Sequence, residues 1–298
     1  MIDMQSLKQW KGKTATWNGR ITEEPIVRMA ATLGRPDIAN RSERLLPPLW
    51  HWLYGAPALD ESQLQADGMP RGSDIVPPVP LPRRMWASSA LQFHNELHIG
   101  DMIRKQSEVT DIVHKQGRSG ELVFVELLHT LAGPKGVALT ERHTIAFRDA
   151  EPSSPPAPKV TPAASNHDTS RKAEAPALPE AEYSRDIVPT EISLFLYSAL
   201  TFNSHRIHYD RPYATEVEGY PGLVVHGPLI ASLLLDLVDR HFPDRGIQDF
   251  AFKAVRPIFD LHPFSVNMRL EPGADKRFTL WASDHTHNVC MQAEGAFR

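Results

Sequence analysis

Residues 228–239 read Pro-Leu-Ile-Ala-Ser-Leu-Leu-Leu-Asp-Leu-Val-Asp. Apolar side chains fall on nearly every face of a helix drawn through them, so this helix is expected to be buried all round. Gly227-Pro228 marks its start, with proline at the first helical position where no amide hydrogen is needed. Upstream, Thr190 is a plausible N-cap for a helix over 191–200, with Ile192, Phe195, Leu196 and Ala199 on one apolar face. Downstream lie four segments, Gly246–Phe259, Phe264–Leu270, Arg277–Asp284 and Val289–Phe297. Each is rich in β-branched or aromatic residues, and turn chemistry separates them at His262-Pro263, Pro272-Gly273-Ala274-Asp275 and His285-Thr286-His287. This reads as an antiparallel meander following a buried helix.

The first half repeats the plan. Thr22–Leu33 reads as a helix with Glu23 and Glu24 in its first turn and Gly34 as its stop. Met85–Leu97, Met102–Lys115, Leu122–Leu131 and Val137–Arg148 then form a second meander. The same order of elements twice suggests an internal duplication. Between the halves, residues 151–182 are dominated by Pro, Ala, Ser and charge and contain no aromatic residue, so they are expected to be an extended linker. The expected domains are therefore 1–150 and 183–298.

With 298 residues, of which 41% are hydrophobic, each half can bury a core of its own. Thirty-two Lys+Arg against 36 Asp+Glu give a charge of −4, which argues against a phosphate-neutralising nucleic-acid binder. The single cysteine, Cys290, excludes an internal disulfide and any Cys-based zinc cluster. No apolar run approaches the roughly 18 residues of a membrane span, and the N-terminal stretch lacks the hydrophobic core of a secretory signal. A cytoplasmic protein is expected, and a homodimer is left open.

The residues that carry chemistry lie just ahead of the buried helix. Asn203, His205, Arg206, His208, Tyr209 and Asp210 stand within eight positions, and His226-Gly227-Pro228 follows. The free amides at a helix start carry partial positive charge and can hold an oxyanion. An imidazole loop followed by such a start can pair a proton carrier with an oxyanion hole. His205, His208 and Asp210 have a spacing that zinc could use, but no further ligand is evident and no metal is expected.

This block resembles the R-specific enoyl-CoA hydratase (MaoC-like) superfamily, whose motif runs Ser-Gly-Asp-x-Asn-Pro-x-His. Laid on it, Thr201–His208 puts His208 on the catalytic histidine, Asn203 on the catalytic aspartate and Gly227 on the glycine whose amide polarises the thioester carbonyl. The match is closer to the two-domain hydroxyacyl-thioester dehydratase branch, which includes itaconyl-CoA and mesaconyl-C4-CoA hydratases. Its landmarks are Ala199-Leu200-Thr201-Phe202-Asn203, His205-Arg206-Ile207-His208-Tyr209-Asp210, Gly219–Leu229, Pro80–Ala87 and Arg256-Pro257-Ile258-Phe259. The resemblance spans nearly the whole chain outside the linker. It implies an α+β double hot dog, two antiparallel sheets each wrapped around a central helix, which is the plan read from the segments.

The implied activity is that of a hydro-lyase adding water to a short enoyl-CoA, with CoA as part of the substrate and no separate cofactor. Itaconyl-CoA or mesaconyl-CoA giving citramalyl-CoA is the specific expectation. The sequence departs from the motif where Asn203 replaces a carboxylate, because an amide cannot take a proton at neutral pH. Acid–base work then falls on His208, and Asn203 orients water or the imidazole. Arg206, Tyr209, Arg84, Trp86 and His226 are expected around the substrate, with Arg84 or Arg206 as partner for a distal carboxylate. The first half lacks a His/Asn block and is expected to shape the pocket. Three alternatives stand beside this reading: a fatty-acid-type 3-hydroxyacyl-thioester dehydratase, a hot-dog acyl-CoA thioesterase and a non-catalytic acyl-thioester-binding subunit.

Overall fold

The computed structural model describes residues 2–42, 44–117, 120–149 and 180–298, and the side chains of 274 and 275 are left aside. The expected linker therefore lies, up to residue 179, outside the described residues. Five strands come from the first half: β1 (Thr14–Arg20), β2 (Arg83–Phe93), β3 (Met102–Gly117), β4 (Gly120–Gly133) and β5 (Gly136–Arg148). Five come from the second: β6 (Tyr183–Ile187), β7 (Ile247–Ala254), β8 (Phe264–Glu271), β9 (Ala274–Ser283) and β10 (Val289–Phe297). They form one sheet in the order β1-β3-β4-β5-β2-β7-β10-β9-β8-β6. Numbered within its own half, each set runs first, third, fourth, fifth, second. The two sets meet through β2 and β7, paired antiparallel with Ala90 opposite Ala251.

The duplication extends to individual hydrogen bonds. The Leu46 amide donates to Leu97 O at 2.8 Å and Ile99 donates to Arg44 O at 2.9 Å. In the second half Val225 donates to Ile258 O at 2.8 Å and Asp260 donates to Leu223 O at 3.0 Å. A lone bridge joins Leu45 to His98 in one half and Val224 to Phe259 in the other. Strands β2 and β7 also end alike. The amides of His94 and Asn95 both turn to Ala138 O, and those of Val255 and Arg256 both turn to Cys290 O. These double donations stop the ladders, so β2 and β7 are shorter at their C-terminal ends than the sequence pattern suggested. β1 and β6, absent from the sequence reading, are the two outer edges of the sheet. Their alternating exposure leaves few apolar residues to betray them.

Among the described residues five α-helices accompany the sheet: α1 (Met4–Lys8), α2 (Glu23–Thr32), α3 (Pro36–Ala39), α4 (Glu191–Leu200) and α5 (Gly227–His241). Gly34, at φ +65°, takes the left-handed turn that closes α2. Thr190 caps α4 through a reciprocal box with Ser193, its Oγ1 accepting the Ser193 amide at 3.1 Å. The apolar face expected on α4 is corrected by the structure. Leu194, Tyr197 and Ser198 face inward, while Ile192 is 72% and Phe195 58% exposed. Apolar residues stand all round this short helix, so periodicity could not select the face; contact with α2 does.

α5 is buried without interruption from Leu229 to Val238. Its one charge in that run, Asp236, is 5% exposed and meets three guanidinium groups. Arg35 of the first half bonds it directly, Arg185 reaches it at 2.7 Å and Arg240 at 2.8 Å. A buried carboxylate left unpaired would be strongly destabilising, whereas this one is multiply bonded. Arg35 also holds Asp239 at 2.7 Å, so the far end of α5 is tied to the first half. One core cluster includes Leu91, Leu131 and Leu139 of the first half with Leu234, Phe250 and Phe278 of the second. In the first half no described helix exceeds the ten residues of α2. After its strap at 44–46 the chain makes a single 3-10 turn, Trp50–Leu53, where the second half launches α5. Among the described residues no helix is long and apolar enough to cross a membrane.

The seam and shared core make one half a poor folding unit. Expressed alone, residues 183–298 should aggregate, because the β7 edge and apolar surface normally covered by the first half become exposed. Size-exclusion chromatography checks this. A soluble, monomeric, fully active half would contradict the shared core.

Candidate active site

A cavity of about 420 Å³ opens between the halves. Arg84, Trp86 and His143 line it from the first half, and Asn203, His208, His226 and Gly227 from the second. Asn203 is placed by the way α4 ends. Phe202 sits at φ 50°, its amide donating to Ala199 O at 3.4 Å, while the Asn203 amide donates to Ser198 O at 2.8 Å. This paired closure usually carries glycine at the left-handed position. A phenylalanine there is strained, by about 1 kcal/mol or more, and it stands next to the candidate site. Asn203 Oδ1 accepts the His205 amide at 3.1 Å, and among the described residues its Nδ2 has no protein partner.

A 3-10 turn, Arg206–His208, then delivers the imidazole. His208 is 8% exposed, and its Nδ1 lies 2.7 Å from Val224 O. A carbonyl can only accept, so the proton sits on Nδ1 and Nε2 carries the lone pair. The Val224 amide in turn donates to Ile207 O at 2.9 Å, locking turn and strap together. His226 stacks on His208 with ring centroids 3.7 Å apart, and its Nε2 lies 2.8 Å from Ser198 Oγ. Ser198 thus supports both parts of the site, Asn203 through its carbonyl and His226 through its hydroxyl. His226 Nδ1 is buried without a partner among the described residues.

Gly227 opens α5 and no side chain caps that helix start. A Cβ built on Gly227 would meet nothing within 4 Å, so the space over this backbone is open to a ligand. The first amides of α5 can therefore donate to an oxygen placed there. The first half differs at the matching place. Three residues beyond Leu45 of its strap stands Pro48, where three residues beyond Val224 stands Gly227, and proline has no amide hydrogen.

Two expected contacts are corrected. Arg206 and Tyr209 lie off the cavity wall. The Arg206 guanidinium bonds Asp210 at 2.7 Å and Ala66 O at 3.0 Å and lies over the Tyr213 ring, so it braces the loop. Tyr209 donates to Ser204 O at 2.9 Å. The first half presses on this loop at Gly68, φ +84°, where a Cβ would come within 1.8 Å of Ser204 O. The Arg206 amide donates to Asp67 O at 2.8 Å in the same contact. The bracing by 66–68 was not read from the sequence, although Asp67-Gly68 is a turn signal. Arg84 does line the cavity, and its Nη2 is buried with no partner among the described residues. Burial lowers its pKa, partly offset by Asp67. Trp86 is held by its Nε1 on Ser89 Oγ at 2.9 Å. Among the described residues no group of three or more His, Cys, Asp or Glu side chains is arranged to hold a metal ion.

The cavity therefore contains imidazoles that burial keeps neutral. Burial, then repulsion by His205, push His208 down to about 3, against the opposing bond to Val224 O. His205 is pushed down to about 4 by burial and by Arg84, and His226 is lowered by burial and its two histidine neighbours. A base whose pKa is depressed stays unprotonated as pH falls through the usual imidazole range. The His208 Cε1–H resonance should thus show no titration between pH 5 and 8. A midpoint near 6.5 would contradict the buried, neutral ring.

Comparison with known proteins gives these residues a context. A model of hydroxyacyl-thioester dehydratase type 2 matches residues 49–260. The mesaconyl-C(4)-CoA hydratase of Chloroflexus aurantiacus is 42% identical over 267 residues, covering 90% of this chain and 89% of that protein. The mitochondrial hydroxyacyl-thioester dehydratase type 2 of Schizosaccharomyces pombe is 28% identical, over 83% of this chain and 87% of its own. Among solved structures, a MaoC-like dehydratase superposes with a TM-score of 0.70 at 14% identity, over 98% and 99% of the two chains. A Mycobacterium tuberculosis protein with a double hot-dog fold superposes at 0.56 and 14% identity, over 96% of each chain. The structural likenesses bear on the fold, an α+β double hot dog. The family match, over most of the chain, and the 42% relative place the chain in the hydroxyacyl-thioester dehydratase type 2 family.

Proposed function

We propose that this hydro-lyase hydrates a short, carboxylate-bearing enoyl-CoA, with a C5 dicarboxylyl-CoA such as mesaconyl-CoA or itaconyl-CoA, giving citramalyl-CoA, as the specific substrate. The observation that carries the reaction is the pairing of His208, its Nδ1 proton tied to Val224 O, with the uncapped start of α5 at Gly227. The thioester oxygen sits on the Gly227 amide. His208 Nε2 takes a proton from water as the water oxygen bonds to Cβ, and the double-bond electrons move toward the thioester oxygen. The enolate charge develops against the Gly227 donor, an effect typically worth about 10²–10³ in rate. His208 then returns the proton to Cα, so one water is added and no cofactor is consumed. Asn203, whose Nδ2 has no partner among the described residues, orients the water.

The substrate class rests on Arg84 and on the relative. A buried guanidinium nitrogen without a partner, in a cavity wall, is compensated when an anionic group of the substrate arrives. The mesaconyl-C(4)-CoA hydratase relative acts, by its name, on an acyl group that carries such a carboxylate. Arg206, occupied by Asp210, is not available for this role.

Incubation with mesaconyl-C4-CoA or itaconyl-CoA and mass spectrometry should show a gain of one water. Release of free CoA without that gain would point to thioester hydrolysis instead. His208→Ala should lower turnover by about 10²–10⁴, the range for losing a positioned acid–base group. Unchanged turnover would remove His208 from the reaction. Asn203→Asp should depress activity near neutral pH, because an ionised carboxylate, unlike the amide, has no N–H to donate to the water. A variant as active as the parent, with a new acidic limb, would show that the carboxylate of the wider superfamily still fits here. Arg84→Gln should reduce the preference for a carboxylated over an unsubstituted enoyl-CoA by at least about tenfold, the scale of one charge-assisted hydrogen bond. An unaltered preference would exclude Arg84 as the carboxylate partner.

A further inference from the structure

The first half places a chain of polar side chains beneath the cavity. Ser107 Oγ lies 2.7 Å from His129 Nδ1, and His129 Nε2 lies 3.4 Å from His143 Nδ1. His143 lines the cavity, and its Nε2 has no partner among the described residues. Its ring stacks on Trp86 with centroids 4.0 Å apart. Trp86 is fixed in turn: its Nε1 donates to Ser89 Oγ, which donates to Glu141 at 2.6 Å. Glu141, 1% exposed, also accepts from Trp52 Nε1 at 3.0 Å and faces His51 Nε2 at 3.2 Å. The ring of His143 is therefore held on its face and through Nδ1, leaving one nitrogen unused.

The chain has a preferred direction. A serine hydroxyl always carries a hydrogen to donate, and no acceptor other than His129 Nδ1 is within reach of Ser107 among the described residues. Once Ser107 donates to Nδ1, the His129 proton must sit on Nε2 and donates to His143 Nδ1. The His143 proton is then on Nε2. In the reverse direction the Ser107 hydrogen is wasted in a buried setting. A buried donor without an acceptor is destabilising, and a ligand that provides an acceptor relieves that cost.

We propose that His143 is a specificity-determining residue, donating through Nε2–H to an oxygen of the acyl group, with His129 and Ser107 as positioning residues that set its tautomer. This rests on the functional reading above and deepens it. It assigns the first half a direct hand in choosing an acyl chain that carries a carboxylate or hydroxyl over a purely aliphatic one. Burial pushes His143 down to about 4 and His129 to about 3, so both stay neutral and the direction of the chain holds across neutral pH.

The test compares binding of two saturated thioesters, succinyl-CoA and butyryl-CoA, by calorimetry on the full chain, so that turnover is not required. The wild type should prefer succinyl-CoA. His143→Phe should shrink that preference by about ten- to a hundredfold, the loss expected for a hydrogen bond to a charged group. His143→Gln, whose amide nitrogen can take the place of Nε2, should retain most of it. Ser107→Ala should lose part of the preference and shift the ¹⁵N resonances of His143 away from the Nε2–H tautomer. Equal preference in wild type and His143→Phe, with both proteins melting alike, would overturn the proposal, as would a wild type that does not distinguish the two thioesters. If the wild type hydrates no enoyl-CoA yet shows the His143-dependent preference, the reaction assignment falls and this one stands.

Discussion

Everything in this molecule is arranged around one helix that cannot be exposed. α5 is buried along ten consecutive residues, so both halves must close on it, and its axis fixes where the polar ends of a buried dipole come to lie. At the C-terminal end Asp236 and Asp239 are gathered by Arg35, Arg185 and Arg240. At the N-terminal end no side chain answers the free amides. The helix is thus anchored by ion pairs where chemistry is absent and left open where an oxygen can enter. A donor set held by a fully packed helix does not have to reorganise as charge develops, which is where such groups gain most of their effect.

The parts legible in the sequence are those in which local pattern and global packing agree. The all-round apolarity of 228–239, the Thr190 cap and the turn chemistry between strands each have one structural solution. The polar edge strands β1 and β6 had no such signal, because an edge strand with one wet face needs few apolar residues. The face of α4 was misread for the opposite reason, an excess of apolar residues that fit more than one orientation. His208, Asn203 and Gly227, singled out in the sequence from one block and the helix start after it, all line the cavity. Arg206 sits in the same cluster yet turns away to Asp210, since a guanidinium this near a carboxylate and the Ala66 carbonyl has better partners than an empty cavity. His143 was invisible for the complementary reason. It reaches the cavity only by strand pairing, through a β2–β5 register that no short-range pattern encodes.

Burying this many imidazoles has a physical logic. Each neutral ring avoids the desolvation penalty of an ion, while keeping one donor and one acceptor in fixed positions. Glu141 is the exception, and it is surrounded by donors from Trp52, Ser89 and His51. Burial would raise its pKa, and the bond from His51 together with the histidines around it lowers it. Its hydrogen bonds hold the tryptophan walls of the cavity, so the anion acts on architecture. Of the charged residues that line the open space, arginines, Arg84 among them, outnumber the two acids, Asp67 and Glu218.

The substitution of Pro48 for a glycine-like position has a consequence for how such a pocket can evolve. In an assembly of two identical subunits every change to one wall is made to the other as well, so a mutation that improves recognition on one side also alters the catalytic side. Fusing the two copies into one chain breaks that coupling. The strap at 44–46 keeps the backbone pattern of its twin at 223–225, yet beyond it Pro48 has no amide hydrogen where the second half has Gly227. With the two walls encoded separately, a substitution in the first half alters one wall alone. Division of labour between walls, rather than extra stability, is what the doubled architecture makes available.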